Sequence, residues 1–227
     1  MTIQDYSSSV AIWKRVFKIL RGEGPRGVFG RIKERFHSSF RYVGGYLVTC
    51  PMETNAVIPN TGSQEEVEVE QVFPDDPIVL QEIHKVYPPP YTEALIYERW
   101  KQQDLLCFVG RVEGEVVGCV WVKPEGDIVE FTRPIFRLAE DEAYYKDAMV
   151  KPEWRGKGIY PAIKAISGQI LCAKYGKTKA LSFVHYSNKA SLNASKKLGG
   201  KVAGRITHLK LFRRKNTWLR RMRERDI

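Results

Sequence analysis

Lys151-Pro152-Glu153-Trp154-Arg155-Gly156-Lys157-Gly158 separates a strand-like run ending at Val150 from a helical run that opens at Ile159. In that second run Ile159, Ala162, Ile163, Ile166 and Ile170 recur at helical spacing, and Pro161 is tolerated because it falls in the first turn. A glycine-rich turn from strand to helix presents unbonded backbone N–H groups at the positive end of the helix dipole, which suits phosphate oxygens. Gly156 and Gly158 let the backbone come close to a ligand. Arg155 and Lys157 add donors and positive charge, so a pyrophosphate fits better than a neutral molecule. The turn lacks the Lys-Ser/Thr pair of a nucleotide-triphosphate loop and the third glycine of a dinucleotide fingerprint. Taken alone, a basic glycine turn serves structure as often as it serves a ligand.

Outward from this turn, residues 144–150 read as a strand. Before them, residues 106–112 and 116–122 are two apolar runs joined by Glu113-Gly114-Glu115, a β-hairpin pattern. The stretch after Lys123, with Glu130, Arg133 and Arg137, reads as a turn and less regular chain. Further back come a strand at 67–73 and a helix at 77–86. Pro88-Pro89-Pro90 forces an extended segment, a candidate substrate-side loop, before a helix at 92–103. On the other side lie a strand at 180–185, a helix at 189–198 closed by Gly199-Gly200, and a strand at 202–212. The order predicts an α/β fold, a mixed α+β sheet with helices on its faces.

With 43% apolar and 28% charged residues the composition is that of an ordinary globular chain, and no apolar run approaches the roughly 20 residues that span a bilayer. The first ten residues lack the pattern of a secretory signal, so the expected compartment is the cytoplasm. Cys50, Cys107, Cys119 and Cys172 are widely spaced and form no Cys-x-x-Cys pair, which predicts reduced thiols and no metal site. The net charge of +11 is concentrated at the ends: residues 1–41 carry nine Lys or Arg against three acids, and residues 210–227 carry eight against two. The middle is nearly neutral, so nucleic acid is not the expected partner of the whole domain. Trp13, Val16, Phe17 and Leu20, then Phe29, Ile32, Phe36 and Phe40, form apolar faces flanked by basic residues, two amphipathic helices. They either pack on the domain or attach to an anionic membrane surface or acidic partner; attachment would place the chain at the inner membrane surface. The expected organisation is a basic helical extension over residues 1–60, a catalytic-sized domain over 61–212 and a basic tail over 213–227.

Two blocks resemble one family. Arg155-Gly156-Lys157-Gly158-Ile159-Tyr160 resembles the Arg/Gln-x-x-Gly-x-Gly/Ala signature of the GNAT superfamily of acyl-CoA N-acyltransferases, with Tyr160 in place of the small final residue. The run into Pro161 and Ala162 is similar to one in a subgroup near bacterial surface-polysaccharide functions. Asn188 to Gly200 resembles the family's second block, which follows its fifth strand. The resemblance covers roughly residues 67–212 and implies the GNAT fold.

It also implies a site. Ala148, Met149 and Val150 would pair with the pantetheine arm of acetyl-CoA or another acyl-CoA, the donor substrate. The N–H groups of Arg155, Gly156, Lys157, Gly158, Ile159 and Tyr160 would hold the pyrophosphate, and Asn188 and Ser191 would contact the donor from the second block. A carboxylate, Asp147 or Glu130, would act as base directly or through water. The family's general-acid tyrosine aligns with Ser195, which leaves thiolate protonation to Ser195, a relocated tyrosine such as Tyr186, or water. His185 is a weaker proton acceptor candidate, and Tyr144 and Tyr145 read as core or wall. No metal is implied. Three functions stay open: acetylation of a primary amine on a small molecule such as an amino sugar, long-chain acyl transfer from an acyl carrier protein at a membrane, or a non-catalytic binding module. The oligomeric state is not read from the sequence.

Overall fold

The computed structural model describes residues 40–53, 66–73, 76–130, 133–211 and 214–221. They form ten strands and four α-helices in the order β1 (Phe40–Pro51), β2 (Glu68–Val72), α1 (Pro77–Val86), α2 (Glu93–Gln103), β3 (Leu106–Val112), β4 (Glu115–Lys123), β5 (Asp127–Glu130), β6 (Arg133–Arg137), β7 (Glu142–Val150), α3 (Ile159–Tyr175), β8 (Lys179–His185), α4 (Lys189–Lys197), β9 (Lys201–Leu211) and β10 (Arg214–Arg221). Two compact units result, Gly44–Thr207 with Thr217–Ile227, and Met1–Val43 with His208–Asn216. The described part of the smaller unit consists of strand ends of β1, β9 and β10.

In the larger unit the main sheet runs β10-β9-β1-β8-β7-β4-β3-β2. The sheet is mixed: β7 and β8 are parallel, whereas β1–β8, β2–β3, β3–β4 and β4–β7 are antiparallel. The chain is thus of the α/β class with the mixed sheet expected. One face is covered by α3, whose Ile159, Ile163 and Leu171 are at most 1% exposed and meet Phe108, Val120 and Tyr145. Each such burial contributes about 1.5–3 kcal/mol. The other face is covered by α1 and α2, through Ile83, Ile96 and Trp100 against Val109 and Trp121. The Trp100 and Trp121 rings meet edge to face at 5.0 Å.

Three stretches differ from the expectation. Phe40–Pro51, assigned to the N-terminal extension, is strand β1, paired with β8 from Gly45↔His185 to Pro51↔Lys179. A Cβ at Gly45 would lie 2.4 Å from the Val184 carbonyl, so the close approach of β1 to β8 requires glycine there. Residues 127–130 and 133–137, expected to be irregular, form the antiparallel pair β5–β6, and Ile128 packs with Leu138, Tyr144 and Leu181. Arg214–Arg221, expected as a tail, is strand β10, with Leu219 packed against that same cluster and Trp218 half exposed. The two amphipathic helices lie outside the described residues, apart from Phe40, which opens β1. No helix among the described residues is long and apolar enough to cross a membrane.

Candidate functional site

The site begins where β7 and β8 part. Their parallel ladder runs from Glu142↔Lys179 to Tyr145↔Ser182 and stops, although β7 continues to Val150 and β8 to His185. Beyond that point each strand stays with its outer neighbour: Met149 and Val150 pair with Cys119 and Gly118 of β4, and His185 pairs with Gly45 of β1. The parting coincides with a bulge. Trp121 opposes Lys146 and Cys119 opposes Met149, so Asp147 and Ala148 together face Val120. Asp147 has φ 49°, in the left-handed region that non-glycine residues seldom occupy.

The gap opens into a cleft of about 570 Å³. Ala148, Met149 and Val150 form one wall, Arg155 to Tyr160 the base, and Asn188, Ser191 and Lys197 the opposite wall. Of the donor-binding residues expected from sequence, all but Lys157 line it. Lys157 instead places Nζ over the Trp154 ring, 4.2 Å from its centroid. Sequence reading missed Trp154, Pro161, Ala190, Asn193, Ala194 and Lys197. The last two could have been found by stepping three residues at a time along α4 from Ser191, since that spacing shares a face.

The base of the cleft is built for an anion. α1, α2 and α4 each have a side-chain cap: Asp76 Oδ1 accepts from the Ile78 and Val79 N–H groups at 2.9 and 3.2 Å, Thr92 from Leu95 at 3.3 Å, and Asn188 from Ser191 at 3.1 Å. α3 has none. Its N-cap is Gly158, with φ 79°, and although residues 155–158 close as a turn, the N–H groups of Gly156, Lys157, Gly158, Ile159 and Tyr160 make no well-formed hydrogen bond to a backbone carbonyl among the described residues. The loop itself is pinned. The Lys151 N–H donates to the Val117 carbonyl at 2.9 Å, the Lys151 ammonium pairs with Glu115, and Arg155 Nε donates to the Val150 carbonyl at 3.1 Å. The Lys151 ammonium, by hydrogen bond and by charge, holds the Glu115 carboxyl below its ordinary range.

The expected catalytic residues are not all brought together. Asp147 adjoins the cleft through Ala148; its carboxylate lies 3.9 Å from the Lys146 ammonium. Glu130 ends β5, and its side chain lies outside the described residues. Tyr186 is partly exposed, edge to face with Tyr46 at 4.8 Å, and does not line the cleft. Ser195 is fully buried: its hydroxyl accepts from Lys164 Nζ at 3.4 Å beneath α4, and Lys164 Nζ also lies 3.3 Å from Cys50 Sγ. Exposed His185 places Nδ1 2.7 Å from the Ser187 hydroxyl. Tyr144 and Tyr145 are buried. Cys50, Cys107 and Cys119 are buried and Cys172 is partly so; all four are free thiols. Among the described residues no group of three His, Cys, Asp or Glu side chains is placed to hold a metal ion.

Parted strands, a bulge and an uncapped helix N-terminus agree with what comparison by sequence finds: a profile of the Acetyltransferase (GNAT) family matches residues 76–200, more than half of the chain. The chain belongs to this family. No curated protein matches this GNAT chain. Solved structures share its fold. A functionally unknown conserved protein from Staphylococcus epidermidis has a TM-score of 0.53 at 14% identity over 80% of this chain and 65% of that one. A GCN5-related N-acetyltransferase from Sphaerobacter thermophilus gives 0.51 at 15% over 82% and 57%. A GCN5-related glucosamine N-acetyltransferase region of a fungal multi-domain GH3 β-N-acetylglucosaminidase gives 0.53 at 18% over 79% of this chain. The GNAT chain therefore spans under two thirds of the length of these structures, and only 22% of the fungal one.

Proposed function

We propose that the protein is an acyl-CoA-dependent N-acetyltransferase that passes the acyl group directly from the thioester to a primary amine of a small molecule. One observation carries the reading: at the start of α3, Gly156, Gly158, Ile159 and Tyr160 line the cleft beside the parted strands, and their N–H groups make no well-formed backbone hydrogen bond among the described residues. Such donors suit the donor's pyrophosphate, and the unpaired edge of Ala148 to Val150 suits a pantetheine arm that hydrogen-bonds like a strand. Arg155 and Lys197 add positive charge along the cleft.

The donor supplies an activated acyl carbonyl. The protein's part is to hold that carbonyl beside the amine, to take one proton from the ammonium, and to let the proton lost from nitrogen as the amide forms reach the departing CoA thiolate through water as the C–S bond breaks. Positioning contributes up to about 7–11 kcal/mol in ideal cases, more than any single side chain. Asp147, at the bulge beside the cleft wall, is the carboxylate we assign as base for the ammonium proton, directly or through a water. An amino sugar is the first acceptor to test, since one neighbour of the same fold is described as a glucosamine N-acetyltransferase region.

Isothermal titration with acetyl-CoA tests the donor step. Binding in the micromolar to low millimolar range is expected, with loss of affinity in Arg155→Ala. If neither acetyl-CoA nor a longer acyl-CoA binds, the proposal is lost. Thiol release from acetyl-CoA across a panel of amino sugars and simple amines then identifies the acceptor.

A further inference from the structure

We propose that Tyr87 is a positioning residue for the acyl carbonyl, acting through the bulge of β7. The inference rests on the donor reading above. Tyr87 follows α1 as its C-cap and is 8% exposed. Its hydroxyl accepts from Trp121 Nε1 at 2.6 Å and donates to the Asp147 carbonyl at 3.1 Å. An indole N–H can only donate, so the phenolic proton does not return to Trp121 and is available to the Asp147 carbonyl. Trp121 is fully buried on β4, paired with Lys146 just before the bulge. The phenol is therefore anchored on the strand against which the bulge forms.

That bond reaches the cleft through peptide geometry. The unit joining Asp147 to Ala148 is planar and trans, so fixing the carbonyl of one residue fixes the N–H of the next on the opposite edge, turned away from Tyr87. Ala148 lines the cleft. Asp147 sits at φ 49°, a conformation that costs energy unless neighbours hold it. Tyr87 supplies the hold from α1. A backbone N–H aimed at a thioester carbonyl stabilises the charge that develops there only if its direction is set beforehand. The Tyr87 ring also packs on Tyr91 at 5.1 Å across the triple proline, so the segment read as a substrate-side loop is fastened to the same point. Burial, the largest influence on this phenol, raises its pKa far above the ordinary value, which keeps it a donor throughout the working range.

The test compares acetyl-CoA with CoA, which differ at the carbonyl the bulge would meet. Tyr87→Phe keeps the ring and removes the hydroxyl. Acetyl-CoA should bind about 3- to 10-fold more weakly, the worth of one hydrogen bond, while CoA stays within about twofold. Arg155→Ala should weaken both alike. Amide exchange in peptides covering residues 146–150 should quicken roughly tenfold or more in Tyr87→Phe without donor present. Equal weakening of both ligands by Tyr87→Phe, or no weakening, would overturn the proposal. Should the wild type bind neither ligand, the donor reading fails by itself, and unchanged exchange at 146–150 would then sink the role of Tyr87 separately. If Tyr87→Phe does not fold, Tyr87→His, which keeps a ring donor, takes its place. Folding regained without preference for acetyl-CoA overturns the idea, and regaining both supports it.

Discussion

Asp147 combines a left-handed backbone with a carboxylate, and two substitutions separate these roles. Asparagine tolerates that conformation, so Asp147→Asn removes the charge with the bulge retained; kcat should fall about 10²- to 10⁴-fold with stability nearly unchanged. Asp147→Ala should show the same loss and also lower stability by about 1–2 kcal/mol through backbone strain. Steady-state rates and denaturant midpoints on the two variants check this. An equal rate for Asp147→Asn and the wild type would remove Asp147 as base. At alkaline pH the buried thiols of Cys107 and Cys119 act in the same direction, both raised chiefly by burial. Burial first, and the nearby Asp147 charge, push the Cys119 thiol up to about 12 from an ordinary 9.0, against hydrogen bonds from Tyr87 and Met149 that lower it. A group raised in the fold favours its protonated form there, so its stabilisation is complete below the unfolded value and disappears as pH rises towards the folded one. The urea midpoint should accordingly decline between pH 9 and 12, and a flat midpoint across that window would contradict the assignment.

Elements differ in how closely they approach one another, and glycines mark where. A Cβ at Gly45 would meet a backbone carbonyl at 2.4 Å, whereas one at Gly110 would meet the side-chain end of Ile163 at 2.7 Å. A methyl can turn aside and a strand backbone cannot. Gly45→Ala should therefore cost more than Gly110→Ala, with both near the roughly 1–3 kcal/mol of an overpacked core. Thermal denaturation of the pair gives the order, and the reverse order would count against the tight β1–β8 packing. The same contrast explains what could be read from sequence. α3 is legible in sequence because its apolar spacing and the preceding Gly156 and Gly158 mark it, and the glycine turn proposed to hold phosphate comes with it. β1 is not, because its first residue, Phe40, fits the helical spacing of Phe29, Ile32 and Phe36, and the Val184 carbonyl opposite Gly45 belongs to a distant segment. The bulge was also hidden: one strand cannot show a register that exists only between Asp147, Ala148 and their partner Val120. The burial of Ser195 is hidden for a related reason, as alignment places a residue on α4 without saying which face turns inward.

Across the whole molecule, the stretch expected as the domain, residues 61–212, omits a strand of the sheet. A chain starting at residue 61 would leave the edge of β8 unpaired and remove the buried Leu47, Val48 and Cys50. Such a chain should aggregate or give an expanded, poorly cooperative fold, while one retaining Phe40 onward should be soluble; soluble yield and circular dichroism distinguish the two. A soluble, cooperative product from residue 61 would show that β1 is dispensable. The placement of β1 also has a consequence during synthesis. At roughly 5–20 residues per second, β1 leaves the ribosome many seconds before the segment that pairs with it has been made. Its Tyr46-Leu47-Val48 run must spend that interval without its partner, so the newborn chain should depend more on holding chaperones than on its final stability, and slowing translation should lengthen the time at risk rather than ease folding.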